Sequence, residues 1–290
     1  MTDAPIKFDR YNRYVLPHPE TGEEQGWTRI TTVANTLADR YGLEQWAQRN
    51  TVLGIGLRPD LYALAVSSTA EDKGQLNKVV KQAQEAAKGS SGANLGTALH
   101  RITERVDRDE VMDIPPEWKG DIDAYCQTLV EHFVKIHSHY IERIVLNLDF
   151  EVVGTLDRLV TLPTDFGELA VADLKTGKDV VKYGTHEMAV QLALYASATH
   201  MWDGSEWIDM PEVDQSQGLL IHLPVGQAKC ELHLVDLAEG YEAAKLAIKV
   251  RDWRKTKDLT TPYSILYIAV PEGTWEKKIN AIEDTKPDDW

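Results

Sequence analysis

The sequence predicts an α/β (α+β) protein in which a mixed central sheet is flanked by helices, with a helical N-terminal segment. Three observations carry this. Up to about residue 139 apolar side chains recur at helical spacing, from about 143 three Val/Ile/Leu-rich runs follow one another, and beyond them helical and strand-like stretches interchange. A strict strand–helix alternation would indicate a doubly wound parallel sheet, whereas strands in succession indicate a mixed one.

Each element has its own signal. Leu37, Tyr41 and Trp46 place a helix within 33–50, and 75–87 reads as a polar helix. Lys88 to Asn94 has the Gly/Ser composition of a linker. Leu95, Leu99, Ile102 and Val106 then fall in a narrow arc, so 95–107 is an amphipathic helix with Asn94 as its N-cap, and a further helix covers 118–139. Strands are expected at 143–148, 150–160 and 168–174. A helix follows at 185–201, then two strands at 217–223 and 229–236 around the Pro224-Val225-Gly226 turn, and 237–254 closes the pattern as a helix. The chain therefore divides into a mainly helical segment (1–94), a core (95–254) and a C-terminal extension (255–290).

The length of 290 residues and the 43% hydrophobic content suit a large globular core and exclude disorder throughout. Charges recur through Glu24, and no run approaches the ~20 apolar residues of a membrane span, so a soluble, cytoplasmic protein with no membrane partner is expected. The net charge of −15 argues against broad adhesion to polyanions and leaves room for a local basic groove. Cys126 and Cys230 stand far apart, which gives neither a CxxC metal spacing nor a disulfide framework.

The chemistry-bearing stretch is Gly154-Thr155-Leu156-Asp157 followed by Asp173-Leu174-Lys175-Thr176-Gly177. Side chains alternate along a strand, so Asp173 and Lys175 share a face roughly 7 Å apart. A hairpin through a loop at about Leu162 to Gly167 sets Asp157 opposite Asp173, with the carboxylates about 5 Å apart. Two carboxylates that close need a cation between them, and oxygen ligands suit Mg²⁺ or Mn²⁺. A cation that polarises a phosphoryl oxygen, beside a lysine that positions water, is what phosphodiester hydrolysis requires. The acid-x-Lys triplet alone carries little, since Glu71-x-Lys73, Glu117-x-Lys119, Glu276-x-Lys278 and Asp284-x-Lys286 also occur. Asp173-x-Lys175 differs from them by ending an apolar strand one hairpin after Asp157.

Gly96-Thr97-Ala98-Leu99-His100, Gly154-Thr-Leu-Asp157, Asp173-Leu-Lys175 and Gln191-Leu-Ala-Leu-Tyr195 together resemble, in order and spacing, the four motifs of the RecB-like branch of the PD-(D/E)xK nuclease superfamily. The closest likeness is to phage-encoded exonucleases of the CRISPR-adaptation exonuclease group. The resemblance implies a restriction-endonuclease-like core and a metal-dependent DNA exonuclease serving phage DNA recombination, repair or replication. An endonuclease with the same metal site and a noncatalytic DNA-binding or assembly protein on the same fold are the alternatives. It further implies that His100, Asp157 and Asp173 bind Mg²⁺ or Mn²⁺, that Lys175 orients or activates the attacking water, and that Gln191 and Tyr195 support the site and contact DNA. Relatives with four cysteines hold an iron–sulfur cluster; with two cysteines, none is expected here.

The residues support these transfers separately. Gly96, His100 and Glu104 recur every four residues beside the Leu95/Leu99 stripe, so Glu104 either holds the His100 ring or is a solvated helix charge. Gln191 and Tyr195 share a helical face as an i, i+4 pair. Glu142, just before the first strand, is an additional acidic candidate. Lys78 and Lys81 share a helical face that could follow a phosphate backbone. The expected partner is linear DNA, and a homo-oligomer or a recombination partner protein is compatible with this reading.

Overall fold

The computed structural model describes residues 6–88, 91–163 and 169–261. The side chain of Asn94, most of the expected 162–167 loop and the tail from 262 lie outside the described residues. The chain divides into two units, Met1–Arg251 and Asp252–Trp290; within the second, Lys255 Nζ donates to Asp252 Oδ1 at 2.8 Å. All that follows concerns the first.

Strands open the chain where the composition predicts helix: β1 (Lys7–Phe8), β2 (Tyr14–Pro17) and β3 (Glu24–Arg29). Tyr14 and Leu16 of β2 and Trp27 of β3 are buried, but so short an alternation gives little strand signal. Their anchor is remote, because β3 pairs in parallel with residues Val152 and Val153. Helices α1 (Ile30–Ala34), α2 (Tyr41–Leu57), α3 (Pro59–Val66) and α4 (Lys73–Lys88) follow, and α3 starts with Pro59, whose fixed φ and missing N–H suit a first helical position.

Helix α5 runs Ser91–Asp107, so Asn94 lies inside its first turn and the expected linker is largely helical. Ser and Asn suit a helix start, where backbone N–H groups lack intrahelical partners, as well as a linker. Helix α6 (Pro116–Glu131) stops well before 139. Phe133 takes a left-handed φ of 53°, the Phe133 N–H donates to the Val130 carbonyl (3.2 Å) and the Val134 N–H to the Leu129 carbonyl (2.9 Å). This is a Schellman closure without the usual glycine, so the sequence carries no stop signal there.

After β4 (Lys135–Ile136) and β5 (Arg143–Asn147), the run 150–160 forms two strands rather than one, β6 (Val152–Leu156) and β7 (Arg158–Thr161). Next come β8 (Leu169–Lys175), α7 (Val180–Tyr183) and α8 (Thr185–Ala196). The chain ends its described core with β9 (His200–Trp202), β10 (Trp207–Asp209), β11 (Gln217–His222), β12 (Glu231–Asp236) and α9 (Leu237–Trp253). Among the described residues one sheet has the order β1-β2-β3-β6-β5-β9-β10 and the other β12-β11-β8-β7-β4. The β3–β6 and β8–β11 pairs are parallel and the other named pairs antiparallel, so the sheet system is mixed. The segment 152–161 passes from one sheet to the other at Asp157.

Strand β8 is buried on both faces, which explains its near-continuous apolar run. Ala170, Ala172 and Leu174 pack with Leu99 of α5 and Ile122 and Tyr125 of α6, whereas Val171 packs with Leu192 of α8. Burying one leucine fully contributes about 1.5–3 kcal/mol. Alternation along β8 places Asp173 on the Val171 face, and it is there that the polar site is embedded. Among the described residues no helix is long and apolar enough to cross a membrane.

Candidate active site

The site forms where β6 gives way to β7. The β7–β8 register pairs Arg158 with Ala172, and one step beyond it Asp157 stands beside the end of β8. The Leu174 N–H donates to Asp157 Oδ2 at 2.6 Å, which locks the first acid to the strand that carries the second. Asp157 and Asp173 are each only 4% exposed. Burial disfavours the charge of Asp157, but Arg158 and His100 beside it win and hold its carboxyl well below the usual range. Asp173 is shifted upward, foremost by burial, despite the opposing Lys175 ammonium.

Helix α5 delivers the histidine. His100 Nδ1 lies 2.9 Å from Glu104 Oε1, and Nε2 lies 3.1 Å from Asp157 Oδ1. Burial lowers the imidazole pKa, yet the two carboxylates outweigh it and raise it to about 10. The glycine one turn earlier allows a close approach. A Cβ at Gly96 would stand 2.6 Å from Thr176 Oγ1, so α5 lies against the turn after Lys175 and a larger residue would have to displace that hydroxyl.

Lys175 Nζ lies 2.5 Å from Asp173 Oδ2, as expected for an i, i+2 pair on one strand face. From α8, Gln191 Nε2 donates to Asp173 Oδ1 at 3.1 Å and to the Tyr195 hydroxyl at 3.2 Å. Tyr195 is buried, and its ring would meet a Cβ at Gly154 at 2.8 Å. Gly154 thus makes room for the helix that holds Asp173.

A cavity of about 320 Å³ is lined by His100, Asp157, Asp173, Gln191, Tyr195 and Glu142 among others. Glu142, exposed as a residue, is raised to about 8 by burial of its carboxyl and by the Asp157 carboxylate beside it. Lys78 and Lys81 lie on the exposed surface of α4 and are not among the residues lining this cavity.

Two sets of residues escaped the sequence reading. Tyr14 and Arg29, from the unexpected opening strands, line the cavity together with Thr31 and Thr155, and Tyr14 and Thr155 are joined by a 2.8 Å hydroxyl hydrogen bond. Arg158 is fully buried and donates to Asp157 Oδ2 (2.7 Å), Asp107 Oδ2 (2.7 Å) and Thr103 Oγ1 (2.8 Å). Burial opposes its charge, but Asp157, Tyr125 and Asp107 keep it firmly protonated. Tyr125 donates in turn to Asp107 at 2.8 Å. An arginine next to Asp157 and flanked by Val152–Leu156 and Leu159–Val160 was an available signal for this network, since a buried charge demands partners.

The donors fit a divalent cation. Asp157 Oδ1 and Asp173 Oδ2 are buried and are faced by the His100 imidazole at 3.1 Å and the Lys175 ammonium at 2.5 Å. Two buried carboxylates this close need positive charge, which these two groups supply and which a divalent cation between them would supply more fully. His100, Glu104 and Glu142 also bring ligand atoms within 4.8 Å of one another, so the cavity is ringed by oxygen donors and one imidazole.

No curated protein matches the chain. Residues 70–207 match the family model of the PD-(D/E)XK nuclease superfamily, a span that includes His100, Asp157, Asp173, Lys175, Gln191 and Tyr195. The mixed sheet with flanking helices agrees with the restriction-endonuclease-like core of that superfamily. Through this central span the chain is similar to the PD-(D/E)XK nuclease superfamily.

Proposed function

We propose that the protein is a divalent-metal-dependent DNA exonuclease of the RecB-like branch, hydrolysing phosphodiester bonds in the recombination, repair or replication of phage DNA in the host cytoplasm. The observation that carries this reading is the pair of buried carboxylates of Asp157 and Asp173, with His100 Nε2 3.1 Å from the first and Lys175 Nζ 2.5 Å from the second. Mg²⁺ or Mn²⁺ held by Asp157, Asp173 and His100 would supply positive charge to polarise a phosphoryl oxygen.

The chain's own residues have separable tasks. Gln191 fixes Asp173 by one oxygen and leaves the other facing the Lys175 ammonium. That ammonium orients the attacking water and counters charge developing at phosphorus. Tyr195 braces Gln191. Arg29 adds a guanidinium to the cavity lining, suited to an incoming phosphate. Residues 1–94 would cover the DNA groove, with Lys78 and Lys81 following its backbone, while 95–254 forms the nuclease core and 255–290 extends from it.

The experiment compares end-labelled linear DNA with covalently closed circular DNA in Mg²⁺, Mn²⁺ or chelator. Linear DNA is degraded from its ends with either metal, the circle persists, and chelator stops turnover. Cutting of the circle would make the protein an endonuclease with the same site. Binding without any cutting would make it a noncatalytic member of the fold, and undiminished digestion in chelator would remove the metal mechanism.

A further inference from the structure

A second group of potential metal ligands lies one strand beyond Lys175. In the parallel β8–β11 register His222 stands beside Lys175, and in the antiparallel β11–β12 register it stands opposite Glu231. His233, two residues along β12, points to the same sheet face as Glu231 because side chains alternate. His222, Glu231 and His233 bring one ligand atom each within 4.8 Å of one another, and His222 Nδ1 lies 3.7 Å from Glu231 Oε2.

The cluster is built rather than incidental. His222 is 6% exposed, and its Nε2 makes a 2.9 Å hydrogen bond to the Gly177 carbonyl, which can only accept. The proton therefore sits on Nε2, and Nδ1 turns a lone pair toward the cluster. His222 Nδ1 is buried with no hydrogen-bond partner, and so is His233 Nε2. Glu231 is already oriented by Lys229, whose Nζ donates to Oε1 at 2.7 Å, leaving Oε2 toward the histidine. Two unpartnered imidazole nitrogens and a carboxylate, with one ring steered by a backbone carbonyl, form the donor set and outer support typical of a transition-metal site.

We propose that His222, Glu231 and His233 form a zinc site separate from the oxygen-rich cavity at Asp157 and Asp173. Two imidazoles and one carboxylate favour Zn²⁺ over Mg²⁺, whereas the nuclease cavity, with one imidazole among carboxylates, favours the harder ions. The bound ion would tie edge strand β12 to β11 and, through His222, steady the Gly177 turn that follows Lys175.

The test is Zn²⁺ titration of the metal-stripped full-length protein, read by equilibrium dialysis and thermal shift, in saturating Mg²⁺ and again in the Asp157→Asn/Asp173→Asn variant. One Zn²⁺ per chain binds in both settings and raises the melting temperature. His233→Ala, a change on an edge strand, weakens that binding by about 100-fold and abolishes the shift, and Glu231→Gln weakens it by about 10-fold. The proposal is overturned if zinc is absent from the aspartate variant and from the Mg²⁺-saturated protein, or if folded His233→Ala binds it as tightly as the parent. Neither result depends on nuclease activity, so failure here leaves the nuclease reading standing.

Discussion

Glu104 Oε1 and His100 Nδ1 meet at 2.9 Å one helical turn apart, and this contact sets what the other ring nitrogen can do. With the Nδ1 proton donated to Glu104, Nε2 faces Asp157 and is the atom free to ligate a cation. Without a cation, a proton takes that place, and the imidazole is raised to about 10. Metal binding must displace that proton.

The contact leads to the expectation that Glu104→Ala weakens Mn²⁺ activation about 10–100-fold while the fold persists. Activity titrated against Mn²⁺ reads the effect; an unchanged half-maximal concentration would leave Glu104 as a plain helix charge.

Asp173→Asn is expected to abolish cleavage yet retain the native circular dichroism spectrum. The side chain keeps its shape and its acceptor for Gln191, and loses the charge that holds the cation. Because burial already disfavours that charge, the melting temperature of the metal-free protein stays level or rises. Unfolding of the variant would assign Asp173 a structural role instead.

Lys175→Ala should lower single-turnover cleavage by roughly 10²–10³, about 3–4 kcal/mol, with little change in DNA binding measured in Ca²⁺. Lys175→Arg does not restore the rate, since a guanidinium is larger and presents its donors in a fixed fork. Wild-type cleavage by bound Lys175→Ala would reduce the lysine to a phosphate contact.

Arg158→Met removes the cation shared by buried Asp107 and Asp157, and leaves Asp107 with only the Tyr125 hydroxyl and Asp157 with His100 and the Leu174 N–H. Breaking a buried pair from one side costs about 3–5 kcal/mol, so urea denaturation should show a loss of that order. A loss below about 1 kcal/mol, the range of exposed pairs, would contradict this account of the network.

Gly154→Ala places a methyl group 2.8 Å from the Tyr195 ring and 3.0 Å from the Ile30 Cβ. Overpacking of this kind costs about 1–3 kcal/mol. It should also lower activity, because Tyr195 and Gln191 move together on α8, and the paired readouts are denaturant midpoint and cleavage rate. Full activity at unchanged stability would show that α8 can yield at this point.

What the sequence determined by itself is local. Asp173 and Lys175 share a face because strands alternate, Gln191 and Tyr195 because helices return every four residues, and His100 and Glu104 for the same reason. Asp157 reached Asp173 through a short hairpin, so its neighbour was also readable from spacing. The tertiary structure alone decided that Asp157 stands where one extended run changes sheets, that Arg158 links it to Asp107 and Thr103, and that Tyr14 and Arg29 come from the far N-terminus to line the cavity. The helix stop at Phe133 was equally hidden, since backbone hydrogen bonds rather than a glycine make it. Periodicity records which face of an element is buried, whereas the pairing of β3 with β6 and the partners of a buried arginine depend on contacts between residues distant in the chain, which no local pattern encodes.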